Sequence, residues 1–315
     1  MRILVTGGAG FIASHIVDAY VARGHAVEVI DNLSTGRESN LNPRAVFHRA
    51  DIRDAATVEE IMRSGRFDVV SHHAAQMDVR RSVADPVYDA SVNVLGVLTL
   101  LECAARYRVQ KMIFASSGGA IYGEQQTFPA DETHPTRPIS PYGVSKLTTE
   151  HYLYYYHAVH GLASVSLRYA NVYGPRQNPE GEAGVVAIFT SKMLRHEQPV
   201  INGDGRQTRD YVFVGDVVRA NLLALDRKGC EVYNIGTGIE TDVNTLFRIL
   251  REATGSGCEE RHGQGKKGEQ LRSLLSAARA ASELAWRPEV PLYDGLVQTV
   301  EYFKRSSPHG TPTGG

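Results

Sequence analysis

Residues 2–14 read RILVTGGAGFIAS, and this stretch decides the fold. Arg2-Ile3-Leu4-Val5 is short, apolar and partly β-branched, as a strand buried on both faces of a parallel sheet should be. It stops at the tight turn Thr6-Gly7-Gly8-Ala9-Gly10. Phe11, Ile12, Ile16, Ala19 and Tyr20 then recur near helical spacing until Arg23-Gly24-His25 supplies a stop. Ala26-Val27-Glu28-Val29-Ile30 makes a second strand that ends on Asp31. The result is a βαβ unit, whose glycines let a pyrophosphate approach the backbone amides at a helix N-terminus. Asp31 lies about 20 residues past the turn, where a carboxylate accepts hydrogen bonds from both ribose hydroxyls and repels a 2′-phosphate. The expected dinucleotide is NAD rather than NADP.

The alternation continues along the chain. Residues 45–50 read as a strand running into Asp51-Ile52, 54–63 as a helix, and 67–70 as a strand ending in His72-His73-Ala74-Ala75-Gln76. A helix over about 86–106 and a strand over 111–115 complete an α/β pattern, a Rossmann-type doubly wound parallel sheet whose ligands sit at the carboxyl ends of the strands. His72 and His73 face opposite ways on a strand, so no metal site is expected from them.

Composition narrows the function classes. With 34 Lys plus Arg against 35 Asp plus Glu, the chain has no charge excess that would mark a nucleic-acid or membrane-surface binder. Three widely spaced cysteines offer neither a disulfide framework nor a metal pair. No signal peptide or long apolar run stands out, and a cytoplasmic protein is expected.

Tyr142-Gly-Val-Ser-Lys146 opens a further helix and places a phenol and an ammonium on one face. A phenol with a pKa near 10 is a poor base at neutral pH. Lowering it by ~3 units takes about 4 kcal/mol, which Lys146 and a cationic nicotinamide together supply. The strand over 111–115 runs into Ser116-Ser117-Gly118-Gly119, so hydroxyls stand where a sugar would lie.

TGGAGFIAS (6–14), DNLSTG (31–36), HHAAQ, SSGGAIYGE, YGVSK, NVYGPRQ (171–177), RDYVFV (209–214) and YNIGTG (233–238) occur in this order. Together they resemble the extended short-chain dehydrogenase/reductase family, and within it the UDP-glucose (UDP-galactose) 4-epimerases, over roughly residues 1–303. The resemblance implies NAD held by Gly7, Gly10, Phe11, Ile12, Asp31, Asn32, Leu33, Ser34, Thr35, Gly36, Asp51, Ile52, Ala74, Ala75, Gln76, Asn93, Ser116, Tyr142 and Lys146. It makes Tyr142 the acid/base that takes the proton of the sugar 4-hydroxyl while C4 gives hydride to NAD, with return of hydride to the other face. Lys146 would bind the nicotinamide ribose and lower the Tyr142 pKa.

One position departs from the family pattern. The usual catalytic Ser or Thr falls at Gly118, leaving Ser117 as the nearest hydroxyl for catalysis and sugar binding, with a water as the alternative. Sugar-nucleotide 4,6-dehydratases follow that hydroxyl with an acidic pair, whereas Gly119 and Ala120 here have no acid or base.

By the same resemblance Asn171, Arg209, Lys266 and Glu269 bind the substrate with Ser117 and Tyr142. Asn178 in place of a second arginine favours a neutral hexose over a uronate, and Ser273 implies room for a 2-acetamido group. The expected organisation is a NAD-binding domain of 1–171 plus about 206–238 and a substrate domain of about 172–205 plus 239–305. Residues 306–315 are expected to be a disordered tail, and a homodimer to form through a four-helix interface. Alternatives are a UDP-glucuronate or UDP-N-acetylhexosamine 4-epimerase, an oxidoreductase releasing NADH, and a non-catalytic NAD-binding scaffold.

Overall fold

The computed structural model describes residues 1–180, 184–265 and 270–306. In chain order its strands are β1 (Arg2–Thr6), β2 (Ala26–Asp31), β3 (Val46–Arg49), β4 (Val69–His72), β5 (Lys111–Ser117), β6 (Ala163–Tyr169) and β7 (Asn171–Tyr173). They are followed by β8 (Ile201–Asn202), β9 (Thr208–Phe213), β10 (Cys230–Ile235), β11 (Glu240–Asp242), β12 (His262–Gly263) and β13 (Arg272–Ser273). Seven of them form one parallel sheet in the order β10-β6-β5-β4-β1-β2-β3. The order reverses between β1 and β4, and crevices at such a switch point receive ligands.

Each face of this sheet has its own core. Ile3, Val5 and Val29 pack with Ile16, Val17 and Tyr20 of helix Phe11–Ala22 on one side. Leu4, Ile30 and Val70 pack with Val58, Leu100 and Leu153 on the other. Neighbouring residues of β1 thus point to opposite faces and are both buried, which is why β1 reads as an unbroken apolar run.

A smaller sheet, β11-β9-β13 with β7 on β9, carries the second half of the molecule. Helices Val185–Leu194, Val243–Thr254 and Leu292–Ser306 close over it around Phe189, Phe247 and Leu296. The sequence boundary at about 206 assigns β9 to the NAD-binding half, but the structure pairs β9 with β7, β11 and β13. The chain returns to the large sheet with helix Val214–Ala224 and β10, and Trp286 joins the same core. Residues 307–315, which hold most of the expected tail, lie outside the described residues.

The run Pro86–Arg106 is long and apolar enough to cross a membrane, with mean hydropathy 1.4. Read residue by residue it does not stand out, because Asp89, Asn93 and Thr99 interrupt it. In the structure 44% of the window is buried, and Val97, Leu100, Leu101 and Ala104 belong to the core, which accounts for its composition.

Arg168 on β6 and Glu150 on helix Pro141–His160 are both buried and meet through two hydrogen bonds, Nε to Oε1 at 3.0 Å and Nη2 to Oε2 at 2.6 Å. Removing one member of a buried pair leaves the other charge uncompensated, at a cost of about 3–5 kcal/mol. Arg168→Met is expected to lose that much stability, read as a lower urea midpoint at an unchanged denaturant slope.

Candidate active site

The glycine turn after β1 sits against the end of β4. Gly7 has φ +73°, and a Cβ there would lie 2.7 Å from the backbone nitrogen of Ala74. Gly10 N donates to Gly7 O at 2.9 Å, and Gly10 caps helix Phe11–Ala22 with no side chain, so the first-turn amides have no side-chain acceptor. An anion fits this place on both counts, by close backbone approach and by the positive end of the helix dipole. The loop and helix end thus fit the pyrophosphate of NAD.

Asp31 ends β2 in the same crevice. Its Oδ2 accepts from Ala9 N at 3.0 Å and its Oδ1 from Leu33 N at 2.8 Å. Burial pushes its carboxyl above the ordinary range, with the two amides pulling the other way. The chain from Asn32 to Gly36 wraps this carboxylate so closely that a Cβ on Gly36 would lie 3.0 Å from both oxygens. The other expected NAD contacts are placed unevenly. Asp51 accepts from Asn32 Nδ2 at 2.9 Å and pairs with Arg53, which holds its carboxyl well below the usual range. The Ile52 side chain is in the core. The Asn93 side chain bonds the Gln76 main chain through both its oxygen and its nitrogen, and the Gln76 and Asn93 side chains both donate to Asp89 Oδ1.

Ser116 is buried and its hydroxyl donates to Glu150 Oε1 at 2.6 Å, so its side chain faces the interior. The pleat explains it: Ser116 and Ser117 point to opposite sides of β5. Ser117 caps the short helix Gly118–Ile121 without a side-chain cap bond. A Cβ on Gly118 would lie 2.4 Å from Cδ1 of the fully buried Leu275, so a side chain there would have to displace that leucine. Gly119 has room, its nearest neighbour being Asn171 Oδ1 at 3.9 Å from an added Cβ.

Helix Pro141–His160 brings Tyr142 and Lys146 to this strand end. Ser140 caps the helix by accepting from Gly143 N, and Tyr142 N donates to Ser82 Oγ at 3.2 Å. A Cβ on Gly143 would lie 2.6 Å from Ala120 O, so only glycine lets the helix dock this closely on the segment after Ser117. Lys146 is buried, and its Nζ donates to Ala115 O at 2.9 Å and lies 5.7 Å from the Tyr142 ring centre. Burial lowers its ammonium to about 8, while Asp89 and Glu150 oppose that shift. It therefore remains a cation at neutral pH, beside the Tyr142 ring.

His72 and His73 are structural. His72 Nδ1 meets Thr6 Oγ1 at 2.7 Å and its ring stacks on Phe114, while His73 stacks on Tyr169. Burial is the main cause lowering both imidazoles, His73 to about 4. Among the described residues no group of three or more His, Cys, Asp or Glu is arranged to hold a metal.

A cavity of about 240 Å³ opens beside the strand ends, lined by Asn171, Phe189, Val200, Gln207, Arg209 and Tyr211. Asn171 and Arg209 therefore share one cavity, on paired strands. Ser273 is buried on β13 opposite Arg209, and Asn178 Oδ1 accepts from Arg37 Nη2 at 3.0 Å. Lys266 and Glu269 lie outside the described residues. Asp210, which the sequence reading passed over, is buried and accepts from Thr237 N at 2.8 Å and Gly238 N at 3.1 Å. It fastens the turn after β10 beside Arg209, and the adjacent RDY and IGTG motifs were the signal for that pairing.

The chain matches the NAD dependent epimerase/dehydratase family over residues 3–236. It is 52% identical to the UDP-glucose 4-epimerase of Thermotoga maritima solved with UDP-glucose, covering 97% of this chain and 99% of that one at a TM-score of 0.95. The UDP-glucose 4-epimerase of Thermus thermophilus in complex with NAD is 47% identical, with 98% and 100% covered and a TM-score of 0.93. A UDP-glucose 4-epimerase of Mycolicibacterium smegmatis is 43% identical over 98% of this chain and 100% of its own length.

Two substitutions test the geometry. Gly7→Ala places a side chain in left-handed backbone against Ala74 and is expected to abolish retention of NAD through purification, read by nucleotide release on denaturation. Ser117→Ala is expected to lower kcat by about 10-fold or more, as loss of one preorganised donor does; full turnover would give the hydrogen bond to water.

Proposed function

The chain belongs to the NAD dependent epimerase/dehydratase family, and we propose that it interconverts UDP-glucose and UDP-galactose at C4 with NAD retained between turnovers. The observation that carries this reading is the Tyr142–Lys146 pair held at the end of β5, with Gly119 and Ala120 beside it. That set moves one proton at a sugar hydroxyl. It has no second acid or base for removing the C5 proton and expelling the C6 hydroxyl, which a dehydratase needs.

Tyr142 takes the 4-hydroxyl proton as phenolate and returns it after the sugar has turned. Lys146 stabilises that phenolate by its charge. Ser117 donates a hydrogen bond to the sugar oxygen. Arg209 grips the diphosphate with its planar guanidinium, and Asn171 contacts the same group from the paired strand. When bound, NAD supplies the reversible hydride acceptor, held by the Gly7 turn and Asp31.

The reading extends to a cytoplasmic homodimer. Leu95, Val144, Tyr154, Tyr155 and Val159 are exposed apolar residues on the adjoining helical segments Pro86–Arg106 and Pro141–His160, and they support a face that pairs with a second copy. Three free cysteines support a reducing compartment.

Purified protein given UDP-glucose and no added cofactor is expected to form UDP-galactose without accumulating NADH. Tyr142→Phe is expected to lower kcat by about 10²–10⁴-fold, the range for a lost acid/base. Accumulation of NADH in step with sugar consumption would replace this reading by a dehydrogenase.

A further inference from the structure

The helix that carries Tyr142 takes one of its caps from a distant part of the chain. The first amides of a helix have no acceptor within the helix and must find one elsewhere. Here each is accounted for. Pro141 has no N–H, Gly143 N donates to Ser140 Oγ at 3.2 Å, and Val144 N donates to Ser140 O at 3.0 Å. The remaining amide is that of Tyr142 itself, and it donates at 3.2 Å to the hydroxyl of Ser82, 60 residues earlier in the sequence. Ser140 thus serves the neighbours of Tyr142, and Ser82 serves Tyr142.

Ser82 is set up as an acceptor. It is fully buried in helix Val79–Ala84, and its hydroxyl donates to Val79 O at 2.7 Å. With its one hydrogen committed there, its lone pairs are left to receive the Tyr142 amide. An alanine at this position would remove the acceptor and leave the rest of the chain in place.

Helix Val79–Ala84 is itself fastened to the loop after β4. Asp78 caps it by accepting from Arg80 N at 2.8 Å and from Arg81 N at 3.1 Å. Gln76 clamps Asp78 in turn: its Oε1 accepts from Asp78 N at 2.8 Å, and its Nε2 donates to Asp78 O at 2.9 Å. Two residues upstream, Ala74 N donates to Thr6 Oγ1 at 3.2 Å, and the backbone of Ala74 packs against Gly7. A continuous path of hydrogen bonds and chain therefore runs from the glycine turn after β1 to the amide of Tyr142. On the other side, Gly143 docks against Ala120 O in the segment after Ser117. Tyr142 is held between two fixed points, the loop after β4 and the end of β5.

We propose that Ser82 is a positioning residue, which registers Tyr142 against the glycine turn by holding its amide. The consequence for turnover rests on the function proposed above, in which the Tyr142 phenol moves the proton; the hold on the amide stands without it.

Positioning has a kinetic signature, because a small misplacement of a reacting group costs rate while binding contacts made elsewhere persist. The groups that fit substrate and NAD, Arg209 and Asn171 in the cavity and the Gly7 turn, are not touched by the Ser82 hydroxyl. Its loss should therefore appear in kcat and not in KM.

Two measurements test this. The first is hydrogen exchange of the Tyr142 amide, resolved by NMR in the wild-type holoenzyme. It is expected to be slowed about 10-fold or more against the unprotected rate, and exchange at the unprotected rate overturns the proposal. The second is Ser82→Ala, expected to lower kcat about 10-fold, the scale of one lost hydrogen bond, with the KM for UDP-glucose and the NAD content after purification unchanged. Ser82→Thr keeps the acceptor and is expected to recover kcat. A folded Ser82→Ala with wild-type kcat overturns the proposal, and so does a fall in kcat matched by loss of NAD, which would make Ser82 a general support of the fold. If Ser82→Ala does not fold, the exchange rate in the wild-type protein decides. A wild-type protein with a protected Tyr142 amide and no UDP-hexose epimerisation would refute the proposed function and leave the hold on the amide standing.

Discussion

One buried ammonium holds the site together. Lys146 Nζ sits on the carbonyl of Ala115 at 2.9 Å, on the strand that ends two residues later at Ser117. That bond ties the Tyr142 helix to the strand of the large sheet that ends at Ser117. Burying a charge demands compensation from the whole surround. The carboxylates of Asp89 and Glu150 supply part of it, and the glycine at 143 permits the close docking.

The dinucleotide half was legible because each of its features is local. An apolar strand, a glycine turn, a helix and a strand ending on Asp31 lie within about thirty consecutive residues, and the physics of the βαβ unit leaves few other arrangements. The Tyr142–Lys146 pair was legible for the same reason, since helical spacing alone puts both on one face. The structure adds what local pattern does not hold. Whether Ser116 or Ser117 meets the ligand depends on the register of β5, and the pleat gives Ser116 to Glu150. That Gly118 packs against Leu275 depends on a contact across more than 150 residues of chain, which no window of sequence contains.

The substrate half was harder to draw for a physical reason. β9 follows β8 in sequence but pairs with β7, β11 and β13, while the helix directly after it packs on the large sheet. The chain thus passes from the small sheet to the core of the large one at Phe213–Val214. The same crossing places Asp210 under the turn at Thr237 and Gly238, which joins the Arg209 strand to the end of β10. The small sheet and the end of β10 are in this way joined by the carboxylate of Asp210.

The central claim is that one tyrosine and one lysine, with NAD retained, let the hydrogen at C4 leave and return within a single turnover. UDP-glucose carrying deuterium at C4 measures this directly. The account predicts UDP-galactose that keeps its deuterium at C4, with none in solvent or in added NAD. Loss of the label from C4 during epimerisation would contradict it.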